Sequence, residues 1–127
     1  MLNEDIEELK EMLEKKQIVK LREKLNSMNE TNIAECIENM DATNALLVFR
    51  MLPKDLAADV FSHFSSDMQS QIIDAVTDIE LAPLLNEIYL DDIVDLVEEM
   101  PANVVKRILK NTSDGNRQLI NQFLKYP

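Results

Sequence analysis

From Met28 onward the chain repeats itself every twelve residues, and this period limits what it can fold into. Cut at that interval it reads MNETNIAECIEN, MDATNALLVFRM, LPKDLAADVFSH, FSSDMQSQIIDA, VTDIELAPLLNE, IYLDDIVDLVEE, MPANVVKRILKN and TSDGNRQLINQF. The ninth position is Cys36, Val48, Val60, Ile72, Leu84, Leu96, Ile108 and Ile120, apolar in every unit. The tenth is Ile37, Phe49, Phe61, Ile73, Leu85, Val97 and Leu109, and fails only at Asn121. The first is Met28, Met40, Leu52, Phe64, Val76, Ile88 and Met100, ending at Thr112.

Apolar residues at positions one, six, nine and ten trace a helical stripe, not the alternation of a strand. The second position supplies Asp41, Pro53, Ser65, Thr77, Pro101 and Ser113, all suited to opening a helix. Each unit is therefore a helix of about nine residues, roughly 14 Å long, followed by a tight turn. A helix that short does not hold itself together in water and must bury its stripe against its neighbours. The predicted fold is all-α, a superhelical, solenoid-like stack of short helices starting near residues 29, 41, 53, 65, 77, 89 and 101. A single Gly and an apolar fraction of 46% agree with a helical chain.

Two units break the pattern. Pro83 lies inside the fifth and predicts a late start or a kink. Thr112, Gly115, Arg117 and Asn121 make the eighth a polar terminal cap. Upstream, Ile6, Leu9 and Leu13 line one helix, and Ile18, Leu21, Leu25 and Met28 line a second. Residues 1–27 are thus expected to form a helical pair packed on the stack of residues 28–127. A membrane anchor at residues 4–16 is disfavoured by Glu4, Asp5, Glu7, Glu8, Glu11 and Glu14.

Charge is unevenly placed. Of a net −11, residues 28–100 carry −14 and residues 101–127 carry +4. Such a middle repels nucleic acid and anionic membranes and suits cations or a basic partner. Lone Cys36 precludes an internal disulfide, and no apolar run is long enough to span a bilayer. The expectation is a soluble intracellular domain. Convergent reactive groups are missing: His63 and Cys36 are single, there is no phosphate loop, and "SDGN" at 113–116 lacks calcium-ligand spacing. Cys36 reads as core packing and His63 as a helix C-terminal cation. Lys106, Arg107, Lys110 and Arg117 read as a solvated face. The chain is not expected to be an enzyme.

That leaves the acids. In "LDDIVDLVEEM" Asp91 and Asp95 stand one helical turn apart, with Asp92 beside them, and Asp55 and Asp59 repeat the pair in the third unit. Like charges at that spacing repel by a few tenths of a kcal/mol. Oxygen-rich groups of this kind suit Mg²⁺ or Ca²⁺, often through retained water; a merely solvated face is the plainer reading.

The repeat over 28–112, "LPKDLAADVFSHF" (52–64), "YLDDIVDLVEEM" (89–100) and the ending "LKYP" resemble the cytosolic N-terminal domain of MgtE-type magnesium transporters. The resemblance implies a superhelix of short helices on the cytoplasmic side of the cell membrane, leading into CBS domains and a membrane pore domain, in a transporter that is a homodimer at full length. It implies that Asp59, Asp91 and Asp95 face the CBS domains and share Mg²⁺ with them, so that high Mg²⁺ favours a closed pore. The first unit departs from the family, which often has His-Pro-x-Asp where this chain has Asn29, Glu30, Thr31 and Asn32. The sequence contains no CBS or pore domain, so transport, nucleic-acid binding and direct membrane insertion are not expected of these residues alone. The alternative is a non-catalytic interaction module related to flagellar rotor switch proteins, which use similar stacked helices for protein contacts.

Overall fold

A computed structural model describes residues 2–124, and side chains over 3–122. Among the described residues there are ten α-helices and no strands. They are α1 (Leu2–Glu14), α2 (Ile18–Ser27), α3 (Glu30–Glu38), α4 (Ala42–Arg50), α5 (Lys54–Ser62), α6 (Ser66–Ala75), α7 (Asp78–Glu87), α8 (Leu90–Glu99), α9 (Ala102–Lys110) and α10 (Asp114–Leu124). From α3 on, first residues recur every twelve positions. The expected starts at 29, 41, 53, 65, 77, 89 and 101 are the N-cap residues themselves.

The turns explain how a chain with one glycine changes direction so often. The chain leaves α5 through two short backbone bonds, from the N–H of His63 to Val60 O and of Phe64 to Phe61 O. Pro53 and Ser65, the residues before and after that helix, are extended, with ψ of 153° and 159°. The same exit closes α3 and α4. None of these turns enters the left-handed region, where glycine would be needed; the only positive φ in a described non-glycine residue is at Lys16. Side chains of Asn29, Asp41, Ser65 and Thr77 each accept a bond from the N–H three residues on. Pro53, Tyr89 and Pro101 give no side-chain cap.

The chain forms two compact units that divide after Phe64. In the first, α1 packs on α2 and α3, and α3 packs on α4 and α5. Phe49, Phe61 and Phe64 meet there with ring centroids 5.9–6.4 Å apart. In the second, α6 packs on α9 and α8 on α10. Every ninth-position residue is buried, as are tenth-position residues from Ile37 to Val97. Cys36 is one of them, and burial pushes its thiol up to about 11, so it is inert packing.

Three expectations change. Pro83 neither delays α7 nor stops it: the helix opens on schedule at Asp78 behind a Thr77–Glu80 capping box and runs to Glu87. The reciprocal cap fixes the start, which removes the late start from the two readings the sequence allowed. Ile18, expected on the packed side of α2, is 41% exposed because it is the first residue of that helix, ahead of the buried Leu21 and Leu25. The third change concerns the arginines of α9 and α10, described below. Of the "LKYP" ending, residues 125–127 lie outside the described residues.

Candidate functional site

The acids of this chain fall into two groups by what surrounds them. Most of the first group have cations. Asp5 and Glu8 on α1 reach Lys24 of α2 at 2.8 and 3.2 Å, and Glu11 meets Lys15 at 2.6 Å. Asp78 at the start of α7 takes Asn111 Nδ2 at 3.1 Å, Lys110 Nζ at 3.3 Å and an Arg107 guanidinium nitrogen at 3.2 Å. Those donors, Asn111 foremost, hold the Asp78 carboxyl below the ordinary carboxylate value.

The second group has no partners among the described residues and is large: besides the acids singled out in the sequence it includes Asp67, Asp74, Glu87 and Glu98. Asp59 lies on α5 in the first unit, beside the buried Ala58 and Val60, with its side chain exposed. Asp91, Asp92 and Asp95 lie exposed on α8 in the second unit, opposite a buried side of Ile93, Leu96 and Val97. No hydrogen bond or ion pair joins the carboxylates of Asp59, Asp91 or Asp95 to any described residue. Asp91 and Asp92 do find one local benefit: α8 opens at Tyr89 without a side-chain cap, and acids in its first turn complement the positive end of the helix dipole. Asp95 is beyond that turn and gains little from it. Among the described residues no three His, Cys, Asp or Glu side chains are grouped to hold a metal. The acids can therefore supply at most part of a coordination shell. Mg²⁺, which keeps much of its water and binds through one or two carboxylates, suits such a partial site better than a metal needing a full protein cage.

Two of the four basic residues, Arg107 and Arg117, do not belong to the solvated face that the sequence suggested. Arg107 donates to the carbonyls of Ile73 and Val76 at the end of α6, and from there to Asp78, so its fork fastens the α6–α7 turn to α9. Arg117 donates to Leu109 O at 2.8 Å, Thr112 O at 3.2 Å and Lys110 O at 3.3 Å, capping the carbonyl end of α9. Lys106 and Lys110 remain exposed. The signal was available in part: a helix that ends without glycine leaves carbonyls that a nearby arginine can satisfy.

A sequence model of the MgtE intracellular N domain matches residues 28–127. The chain belongs to this family. The crystal structure of the soluble part of a magnesium transporter superposes with a TM-score of 0.81 at 20% identity, covering 100% of this chain and 50% of that one. A crystal structure of the cytosolic domain of the Mg²⁺ channel MgtE in complex with ATP gives 0.79 at 24% identity, covering 94% of this chain and 49% of the other. At those identities the likeness establishes the fold. The chain spans about half the length of these two structures. No curated protein matches it. The all-α fold and the MgtE assignment thus agree with the reading of the repeat, and the family match begins at Met28, where the repeat begins. No helix among the described residues is long and apolar enough to cross a membrane.

Proposed function

We propose that this MgtE N domain is the cytosolic regulatory part of a magnesium transporter, non-catalytic itself, which senses Mg²⁺ through Asp59, Asp91 and Asp95. The reading rests on the match to the MgtE family together with the exposure of these carboxylates, which are unpartnered like those of Asp55, Asp67 and Asp74 and unlike those of Asp5, Glu8, Glu11 and Asp78. Residues 1–27 serve as a helical pair on the repeat, and residues 28–127 end at a junction to CBS domains and a pore domain. In the full-length homodimer the three acids face carboxylates of the CBS domains. With little Mg²⁺ the two acidic surfaces repel; with more Mg²⁺ the ion bridges them, holds the domains together and favours a closed pore. The bridge works as a sensor because neither surface completes the ion's shell alone, so occupancy and docking rise together.

An isolated partial site binds weakly, with a dissociation constant on the order of millimolar. Binding still stabilises the folded state, by about 1.4 kcal/mol at ten times the dissociation constant. Thermal melts should show Mg²⁺ raising the melting temperature more than NaCl of matched ionic strength does. The combined variant Asp59→Asn, Asp91→Asn and Asp95→Asn should erase that difference. A full Mg²⁺ response in the triple variant would place the ion elsewhere or reduce the effect to general screening.

A further inference from the structure

The turn between α1 and α2 departs from the charge of the chain around it. Residues 15–22 hold Lys15, Lys16, Lys20 and Arg22 between two exposed acids, Glu14 and Glu23, within a chain of net charge −11. Lys15 is taken up by Glu11. Lys16, Lys20 and Arg22 are exposed, and no carboxylate among the described residues pairs with them. Lys24, one turn further on, is already held by Asp5 and Glu8.

Two apolar side chains stand among these cations. Lys16 turns the chain with a φ of 56°, and α2 begins at Ile18. Ile18 is 41% and Val19 71% exposed. The buried side of α2 is Leu21 and Leu25, and Val19, two residues from Leu21, points to the other side of the helix. Packing within the chain makes little use of it. Residues 18–22 rise only about 6 Å, so the apolar pair and its cations form one small patch.

We propose that this hairpin tip docks on the surface of an anionic phospholipid bilayer. Val19 and Ile18 enter the headgroup layer, and Lys16, Lys20 and Arg22 meet lipid phosphates. A bilayer presents negative charge and apolar depth a few ångströms apart, which is the combination the tip complements. An acidic protein surface would satisfy the cations and leave the apolar pair without a host. Charges beyond about 8 Å are screened at physiological salt, so the acids that oppose docking are the flanking Glu14 and Glu23, against the three unpaired cations Lys16, Lys20 and Arg22. The disfavoured anchor at residues 4–16 shares only Lys15 and Lys16 with the tip, and its acids Glu4, Asp5, Glu7, Glu8 and Glu11 lie on α1. The tip also lies outside the family-matched residues and does not depend on the Mg²⁺ reading.

The test uses the whole chain. It has no Trp, so Val19→Trp introduces a single tryptophan at the tip, which can be excited selectively over Tyr89 and Tyr126. Vesicles of phosphatidylcholine containing phosphatidylserine should shift its emission to the blue and co-sediment the protein, and phosphatidylcholine alone should do neither. Each Lys or Arg near an anionic surface raises partitioning about fivefold, so Lys16→Glu with Lys20→Glu should lower it by at least about twentyfold. Val19→Ser should weaken binding while leaving the melting temperature and its Mg²⁺ response unchanged. Binding that ignores phosphatidylserine, or survives the double charge reversal, overturns the proposal. So does a tip that shows no vesicle binding but whose charge reversal dissolves a self-associated form, because the surface is then a contact between copies of the chain.

Discussion

Phe61 and Asp55 sit six residues apart on one chain and should behave oppositely when changed. Phe61 is 2% exposed and touches Phe49 and Phe64, and Leu96 in the second unit is 6% exposed. Truncating either to Ala leaves a cavity and should cost about 2–5 kcal/mol in urea or thermal unfolding. Asp55, exposed and one turn before Asp59, should tolerate Asn within a few tenths of a kcal/mol, because relieved repulsion offsets a weakened dipole contact. A silent Leu96→Ala would contradict the buried columns. The same comparison bears on Asp91 and Asp95: a helix carries both because one complements an uncapped N-terminus, and because, on the proposed function, a cation relieves their repulsion.

At the scale of elements, two helices report on how the turns are secured. Helix α7 contains Pro83, which cannot donate to the carbonyl four residues earlier and crowds it. Its start survives because Thr77 and Glu80 cap each other's backbone N–H groups. Pro83→Ala should therefore lengthen nothing and raise stability by about 1–3 kcal/mol, read from the urea midpoint. Asp78, at the first position of α7, fastens that helix to α9 and gives a pH signature. Its folded-state value lies below the ordinary 3.8, so the carboxylate contributes stability above the unfolded value and loses it as pH falls through the folded one. The melting-temperature gap between the wild type and Asp78→Ala should be constant above about pH 5 and close at lower pH. A gap that widens on acidification would contradict the donor set around Asp78.

For the whole molecule, the period of the sequence carried most of the fold. Eight ninth-position residues are apolar and all eight are buried, and helix starts fall where the second-position residues put them. What the period could not carry were contacts made once. Arg107 reaches carbonyls 31 and 34 residues away, and nothing in a local pattern separates such an arginine from a solvated one. The exposed pair at Ile18 and Val19 was hidden for a related reason: Ile18 keeps the helical spacing to Leu21 and Leu25, and only the position of the turn decides that it stays outside. The acids were legible as pairs one helical turn apart, but their freedom from partners was not, since Asp78 looks equally free in the sequence and is not. That freedom underlies the central claim, and it can be located directly. Substoichiometric Mn²⁺ added to the isotopically labelled chain should broaden amide signals around Asp59 and around Asp91 to Asp95, and excess Mg²⁺ should restore them. Broadening centred on Glu4 and Glu7 of α1 instead, with α5 and α8 untouched, would contradict the proposed sensing residues.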